Sequence, residues 1–273
     1  MCFFCRHLSV VLLLSTLLPS FALCAEEATA TGLNRGQKTL LLNVGSTAAV
    51  IGWGVLNWDY FSRAPSRGDE GWFGSETASG GADKLGHAYT SYLLSHSFSS
   101  IYRAWGYATA EASRYGCYSA LGVTGIMEMG DAFSANYGFS YEDMLMNLVG
   151  AGFGFLTETC PALGRKVDFR WEYRPDLGNL EGDFVTDYEH SKYLLAVKAA
   201  GFNALPGWLK PFEVHFGYYV RSAHSVAQNG RLRTLYTALG INLTRLLRPY
   251  CETRFFDYFQ MPYIYLALEH DVD

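Results

Sequence analysis

The stretch Phe212–Ser222, FEVHFGYYVRS, decides the fold class when set beside Tyr141–Thr159, YEDMLMNLVGAGFGFLTET. The first is aromatic and β-branched and alternates in part, which suits a half-buried strand. The second is compatible with the 3.6-residue period of a helix. Working outward, Asp83–Ala104 and Ala108–Asp131 are also predicted helices, punctuated by Gly106, Gly138 and Pro161. Leu40–Trp58 carries no charge and is about as long as one bilayer crossing, or else a buried core helix. Arg63–Gly81 is rich in Gly, Ser and charge and reads as a loop. Near Asp168 the pattern changes. Asp183–Lys198 and Thr234–Leu243 join Phe212–Ser222 as strands, with turns or loops at Leu205–Pro211 and Ser225–Leu232. Leu243–Leu247 is expected to leave the last strand, and Glu252–Phe259 to form a short helix. The expected class is α+β. A bundle of about four apolar helices over 36–160 precedes a β-rich region, 168–273, with an antiparallel meander of three or four strands. These strands resemble those of outer-membrane barrels, but known barrels start at eight, so three or four do not close one.

Composition narrows the function. The 273 residues suit one large domain or two small ones. Lys and Arg number 21 against 26 Asp and Glu, and a net charge of −5 argues against a nucleic-acid partner. Charged residues are only 17% and hydrophobic ones 49%, which excludes a disordered chain. The aromatic share of 16% suits a protein at an apolar–aqueous boundary.

The N-terminus sets the compartment. Residues 1–25 read as a signal peptide: Arg6 and His7, an apolar run from Leu8 to Leu18, a break at Pro19-Ser20, and Ala25 before the cut. Cleavage after Ala25 is favoured over lipidation at Cys24, because Leu23 is bulky where a lipoprotein signal needs a small residue. Cys2 and Cys5 fall within the signal. Cys117, Cys160 and Cys251 remain, an odd number, with a Cys160–Cys251 disulfide open in an oxidising compartment. An exported protein of the bacterial cell envelope, periplasmic or associated with the outer membrane, is expected, with a membrane or envelope component as its partner.

Polar residues inside the apolar helices carry the chemistry. Asp83-Lys84-x-x-His87 opens the second helix, Glu128-x-x-Asp131 ends the third, and Asp143-x-x-x-Asn147 opens the fourth. Spacings of three and four put each pair on one helical face. In an up-down bundle these three ends share a layer. Asp83 and Asp143 are also placed to cap helices, with Ser140 completing a capping box, and Asn147 to brace neighbours. Glu128 lies among apolar residues, where an unpaired carboxylate is costly or takes up a proton. His87 with Asp83 and Glu128 suits acid/base work. Glu128, Asp131 and Asp143, with His87, suit a divalent cation. His96, His190 and His215 show no comparable partners, and His224 sits beside a turn. Gly150-x-x-x-Gly154 allows close helix approach.

These residues carry a resemblance. Asp83–Phe155 resembles the YfiM-type family of predicted periplasmic lipoproteins, a domain of unknown function, and more distantly the VanZ-like membrane proteins. The shared order is Asp83, Lys84 and His87, then Glu128 and Asp131, then Ser140, Asp143, Asn147 and Gly150. The segments Asp187-Tyr188-Glu189 and Lys192-Tyr193 look like the tail of longer members. Gly130 and Asp131 stand where VanZ-like proteins carry a Gln-containing end. The resemblance implies an envelope location and a helical core, and it supplies no reaction. Two classes remain: a membrane-associated structural or binding protein of the envelope, and a metal-binding or acid/base enzyme acting on a lipid or cell-wall substrate. The sequence holds no H-E-x-x-H, phosphate loop or serine-nucleophile motif.

Overall fold

The computed structural model describes residues 32–176, 183–222 and 230–272. The signal segment, with Cys2, Cys5 and Cys24, and His224 lie outside the described residues. Four long helices come first: α1 (Arg35–Asn57), α2 (Ala82–Ala104), α3 (Thr109–Asp131) and α4 (Tyr141–Thr159). A four-residue α5 (Pro161–Gly164) follows, and a short α6 (Leu243–Leu247) lies late in the chain. Asn34 caps α1 reciprocally: Gln37 N donates to Asn34 Oδ1, and Asn34 N to Gln37 Oε1, both at 3.0 Å. Gly81 enters α2 at φ 82°, and a Cβ there would meet Phe73 at 2.3 Å, so glycine is required twice over.

α2 is the central helix, with α3 and α4 on it and α1 outside α3. Its contacts are built from small residues. A Cβ on Gly150 would lie 1.9 Å from the Ala88 carbonyl oxygen, and one on Gly116 would lie 2.7 Å from that of Ser95. Ser91, Ser95 and Ser99 are fully buried along the same helix. This close approach is what the Gly150/Gly154 spacing permits. Phe98, Ile101, Tyr102 and Val123 fill the layer farther along.

Five antiparallel strands follow in the order β1-β2-β3-β4-β5. They are β1 (Val167–Tyr173), β2 (Ser191–Lys198), β3 (Phe212–Ser222), β4 (Arg231–Ile241) and β5 (Tyr265–Asp271). The expected three or four strands are therefore corrected to five. The expected strand Asp183–Lys198 shortens to its second half, because Asp187 accepts from His190 N and turns Tyr188–His190 into a 3₁₀ helix. Leu243–Leu247 is helical because Asn242 caps it, and only Phe255–Asp257 of the expected helix Glu252–Phe259 is helical, as a 3₁₀ turn.

Register sorts the sheet into two unlike faces. Phe169, Leu195, Phe216, Thr237 and Leu268 align across the strands on one face. The Phe169 end of that face packs on α2, with the Tyr89 ring 5.6 Å from Phe169 and 6.1 Å from Trp171. The opposite face carries buried charged groups beside Leu194, Ala196, Tyr236 and Ala238. Arg170 binds Glu213 at 2.5 Å and Asp168 at 2.9 Å, and His215 reaches Glu213 at 2.9 Å. Tyr265 on β5 bonds Glu172 on β1. Those strands would lie about 19 Å apart in a flat sheet, so the sheet is strongly curled around that face. Tyr258–Gln260 covers the free edge of β1 through Trp171. Cys117, Cys160 and Cys251 are all free thiols, the last two exposed.

Candidate functional site

The start of α2, the end of α3 and the start of α4 lie together, as antiparallel neighbours require. α4 begins at Ser140, whose Oγ accepts from Asp143 N at 3.2 Å. Asp143 does not close the capping box. Its carboxylate turns inward to Lys84, 2.8 Å away. Ser140 is thus a helix cap, and Asp143 is freed for the cluster.

Lys84 is the hub, and its side chain is 0% exposed. Its Nζ lies 2.7 Å from Asp83, 2.8 Å from Glu70 and 2.8 Å from Asp143. Burial alone would lower its pKa, but Asp83 and Asp143 outweigh burial and raise it, so Lys84 stays charged. Burial would likewise raise the pKa of Asp83, yet the Lys84 ammonium lowers it. Ser79 Oγ adds a hydrogen bond to Asp83. Ser79 also lines a polar cleft of about 530 Å³ that includes Asp187, Tyr188 and Arg231, so the cluster borders an open cleft.

Glu70 reaches Lys84 from the loop between α1 and α2. Gly68 N donates to Phe139 O at 2.9 Å, just ahead of the Ser140 cap, and Gly68 and Gly138 touch backbone to backbone. This pairing delivers Glu70. Burial pushes its carboxyl up to about 7, with Lys84 opposing and Asp143 reinforcing.

His87 sits one turn deeper, between two carboxylates. Its Nδ1 is 3.1 Å from Glu128 Oε1, and its Nε2 is 3.9 Å from Asp143 Oδ1. The closer approach lies off hydrogen-bond geometry. His87 Nδ1 and Glu128 Oε1 are buried without a hydrogen-bond partner, while Asp143 Oδ1 is the atom that meets Lys84. Burial brings the imidazole down to about 4, against the pull of Asp83, so it is neutral at pH 7. Glu128 is 1% exposed. Burial, then repulsion from Asp143, Asp131 and Glu70, pushes its carboxyl up to about 10.

Two sets of ligand atoms lie within 4.8 Å of one another among the described residues: His87–Glu128–Asp143 and Glu70–Asp83–Asp143. Asp131 belongs to neither. It stands at the rim against the Tyr60 hydroxyl, and burial pushes it up to about 7. Tyr60 covers this corner, its ring lying where a Gly130 Cβ would be. Asn147 is a brace: its Oδ1 accepts from Ser91 Oγ at 2.8 Å, and the same hydroxyl reaches Thr124 on α3 at 3.3 Å.

The sequence reading missed Glu70 and the role of Lys84. Lys84 stood in the motif, but a lysine beside an aspartate at a helix start reads as exposed. Glu70 lies in a Gly- and Ser-rich loop with nothing to mark it as inward. The reading of the other histidines is corrected. His96 bonds Glu158 at 2.7 Å and Thr157 at 2.9 Å near the far end of α2, where Arg103 also pairs with Glu158. His190 pairs with Asp187, and His215 with Glu213. Their partners come from helix packing or local turns, which spacing along the chain does not mark.

No curated protein and no solved structure matches the chain. A family model described as predicted periplasmic lipoprotein, DUF2279, matches residues 69–159. That segment is about a third of the chain, stops short of the sheet and contains every member of the cluster from Glu70 to Asn147. The description agrees with a location in the cell envelope, periplasmic or associated with the outer membrane, and it names no activity. Over the segment that holds the cluster, the chain is similar to predicted periplasmic lipoproteins of unknown function.

Proposed function

We propose that this chain is a cell-envelope binding protein whose helical layer holds one divalent cation between His87, Glu128 and Asp143. The observation that supports it is the pair of buried, unpartnered atoms His87 Nδ1 and Glu128 Oε1, gathered within ligand reach of Asp143 Oδ1. Buried polar atoms left without partners are costly. An ion about 2 Å from each ligand places the ligands about 3 Å apart, which fits the 3.1 Å between His87 and Glu128. The neutral imidazole keeps a lone pair free for a metal. One nitrogen with carboxylate oxygens suits zinc or manganese better than calcium.

Charge points the same way. Of the carboxylates Glu70, Asp83, Glu128, Asp131 and Asp143, the Lys84 ammonium reaches three, Glu70, Asp83 and Asp143. Lys84 already serves Glu70, Asp83 and Asp143, so Glu128 is the member of the second set that lacks a cation. Without a metal, Glu128 keeps its proton instead.

The test is thermal unfolding with and without a chelator. Chelation lowers the Tm of the wild type and leaves that of Glu128→Gln and His87→Ala unchanged. Equal Tm values for the wild type with and without chelator, in protein purified with zinc or manganese present, contradict the reading.

A further inference from the structure

The outer surface of the helical layer has the wrong polarity for water. Leu41 and Leu56 on α1 are 57% and 79% exposed, Tyr118 and Met129 on α3 65% and 61%, and Leu148 and Val149 on α4 54% and 53%. No charged residue occurs from Thr39 to Trp58 or from Met144 to Thr157, and α3 carries none from Tyr115 to Met127. Where α2 meets α3 and α4 at Gly116, Gly150 and Gly154 the contacts are small and polar, with Ser91, Ser95 and Ser99 fully buried, and Phe98, Ile101 and Tyr102 fill the interior beside them. A water-soluble bundle keeps its outer face polar. Small residues and hydroxyls at the contacts, with large apolar residues outside, fit helices that face hydrocarbon.

The two ends of this uncharged band differ from its middle. α1 and α3 start side by side, since Arg35 donates to Gly106 O at 2.8 Å and Thr39 meets Tyr107. Arg35, Lys38 and Arg114 lie at that end with Glu111 of the first turn of α3, an excess of cations that complements anionic lipid headgroups. At the other end Trp72, Tyr137 and Tyr141 are part-exposed, the aromatic type found at membrane interfaces. A second copy of the chain would cover one patch of about 800 Å² per partner. Here the uncharged surface continues over three successive helices, which a lipid phase covers without regard to direction.

We propose that the outer face of α1, α3 and α4 is a lipid-contacting surface that seats this protein in the acyl-chain region of an envelope membrane. The inference is independent of the cation centre, whose ligands point inward. It is tested on the mature chain from Glu26, which lacks both Cys24 and the apolar run of the signal, so that neither an acyl anchor nor the signal contributes. Purified protein is mixed with vesicles of phosphatidylethanolamine and phosphatidylglycerol, detergent is removed, and the vesicles are floated. The protein is expected to float with the vesicles. Leu148→Glu combined with Val149→Glu is expected to lower the vesicle-bound fraction by about tenfold or more, while Leu148→Ala with Val149→Ala floats as before. Should the charged pair fail to fold, Leu148→Trp reads the contact directly, and quenching by brominated acyl chains is expected. Protein that stays in the aqueous fraction, a charged pair that folds and floats like the wild type, an unquenched Trp at position 148, or a soluble dimer that buries this face would each overturn the proposal.

Discussion

At the residue scale, one buried ammonium holds Glu70, Asp83 and Asp143 and leaves Glu128 and Asp131 without a cation. Lys84 is charged because Asp83 and Asp143 surround it. Glu128, out of its reach, is the residue whose state has a consequence for stability. Its folded-state pKa of about 10 stands above the ordinary 4.5. The metal-free folded protein therefore binds this proton more tightly than the unfolded chain. The contribution is fully present below pH 4.5 and is lost as pH rises toward 10. Between pH 5 and 8 the loss is on the order of 4 kcal/mol from this residue, at 1.36 kcal/mol per pH unit. Glu70 adds the same sign up to about pH 7. Denaturant unfolding of metal-free protein is expected to show falling stability from pH 5 to 8, and Glu128→Gln a much shallower fall. Parallel pH profiles for the two proteins would remove Glu128 from its assigned environment.

Glu128 was legible as a problem in the sequence because it interrupts an apolar run, and its spacing from Asp131 put both on one face. What it faces was not legible. The partner imidazole is 41 residues earlier in the chain, and only the antiparallel arrangement of α2, α3 and α4 brings it close. Glu70 was invisible for a related reason: its position is set by the Gly68–Phe139 backbone pairing, a tertiary contact.

At the scale of elements, helices with clear stop signals were readable nearly to the residue. Gly106 and the Ser140 cap separate α2, α3 and α4. The strands β1 and β5 were not readable. β1, VDFRWEY, has Phe169 and Trp171 on one face and Asp168, Arg170 and Glu172 on the other, and both faces are buried. Charged residues normally mark a wet face, and here they are paired inside the curled sheet. The helix contacts carry a prediction of their own. Because a Gly150 Cβ would fall 1.9 Å from the Ala88 carbonyl oxygen, Gly150→Ala forces α2 and α4 apart. A loss of about 1–3 kcal/mol is expected in chemical denaturation, together with weaker metal binding, since Asp143 rides on α4. Unchanged stability would mean that the two helices do not approach as described. Gly152, which has open space around it, is the matched control, and Gly152→Ala is expected to be neutral or slightly stabilising.

At the scale of the whole molecule, each layer encloses a charged cluster. The helical layer encloses Lys84 and its carboxylates, and the sheet encloses Arg170, Glu213 and His215. Leu195, Phe216 and Leu268 stay exposed on the convex side of the sheet, as Leu148 and Val149 do on α4. The alternation read in these strands is present, and five strands, like the three or four expected, are fewer than the eight of the smallest barrels. Five strands curl far enough for β1 to touch β5.

The account turns on the cation centre, and equilibrium dialysis tests it most directly. Chelator-treated full-length protein is dialysed against manganese or zinc near neutral pH, and bound metal is measured per chain. The account predicts one ion per chain in the wild type, and binding weakened by an order of magnitude or more in Glu128→Gln and His87→Ala, each of which removes a ligand. It predicts that Asp131→Asn, outside the ligand set, binds with the same stoichiometry. A wild type that binds no ion, or a Glu128→Gln variant that binds as the wild type does, would contradict it.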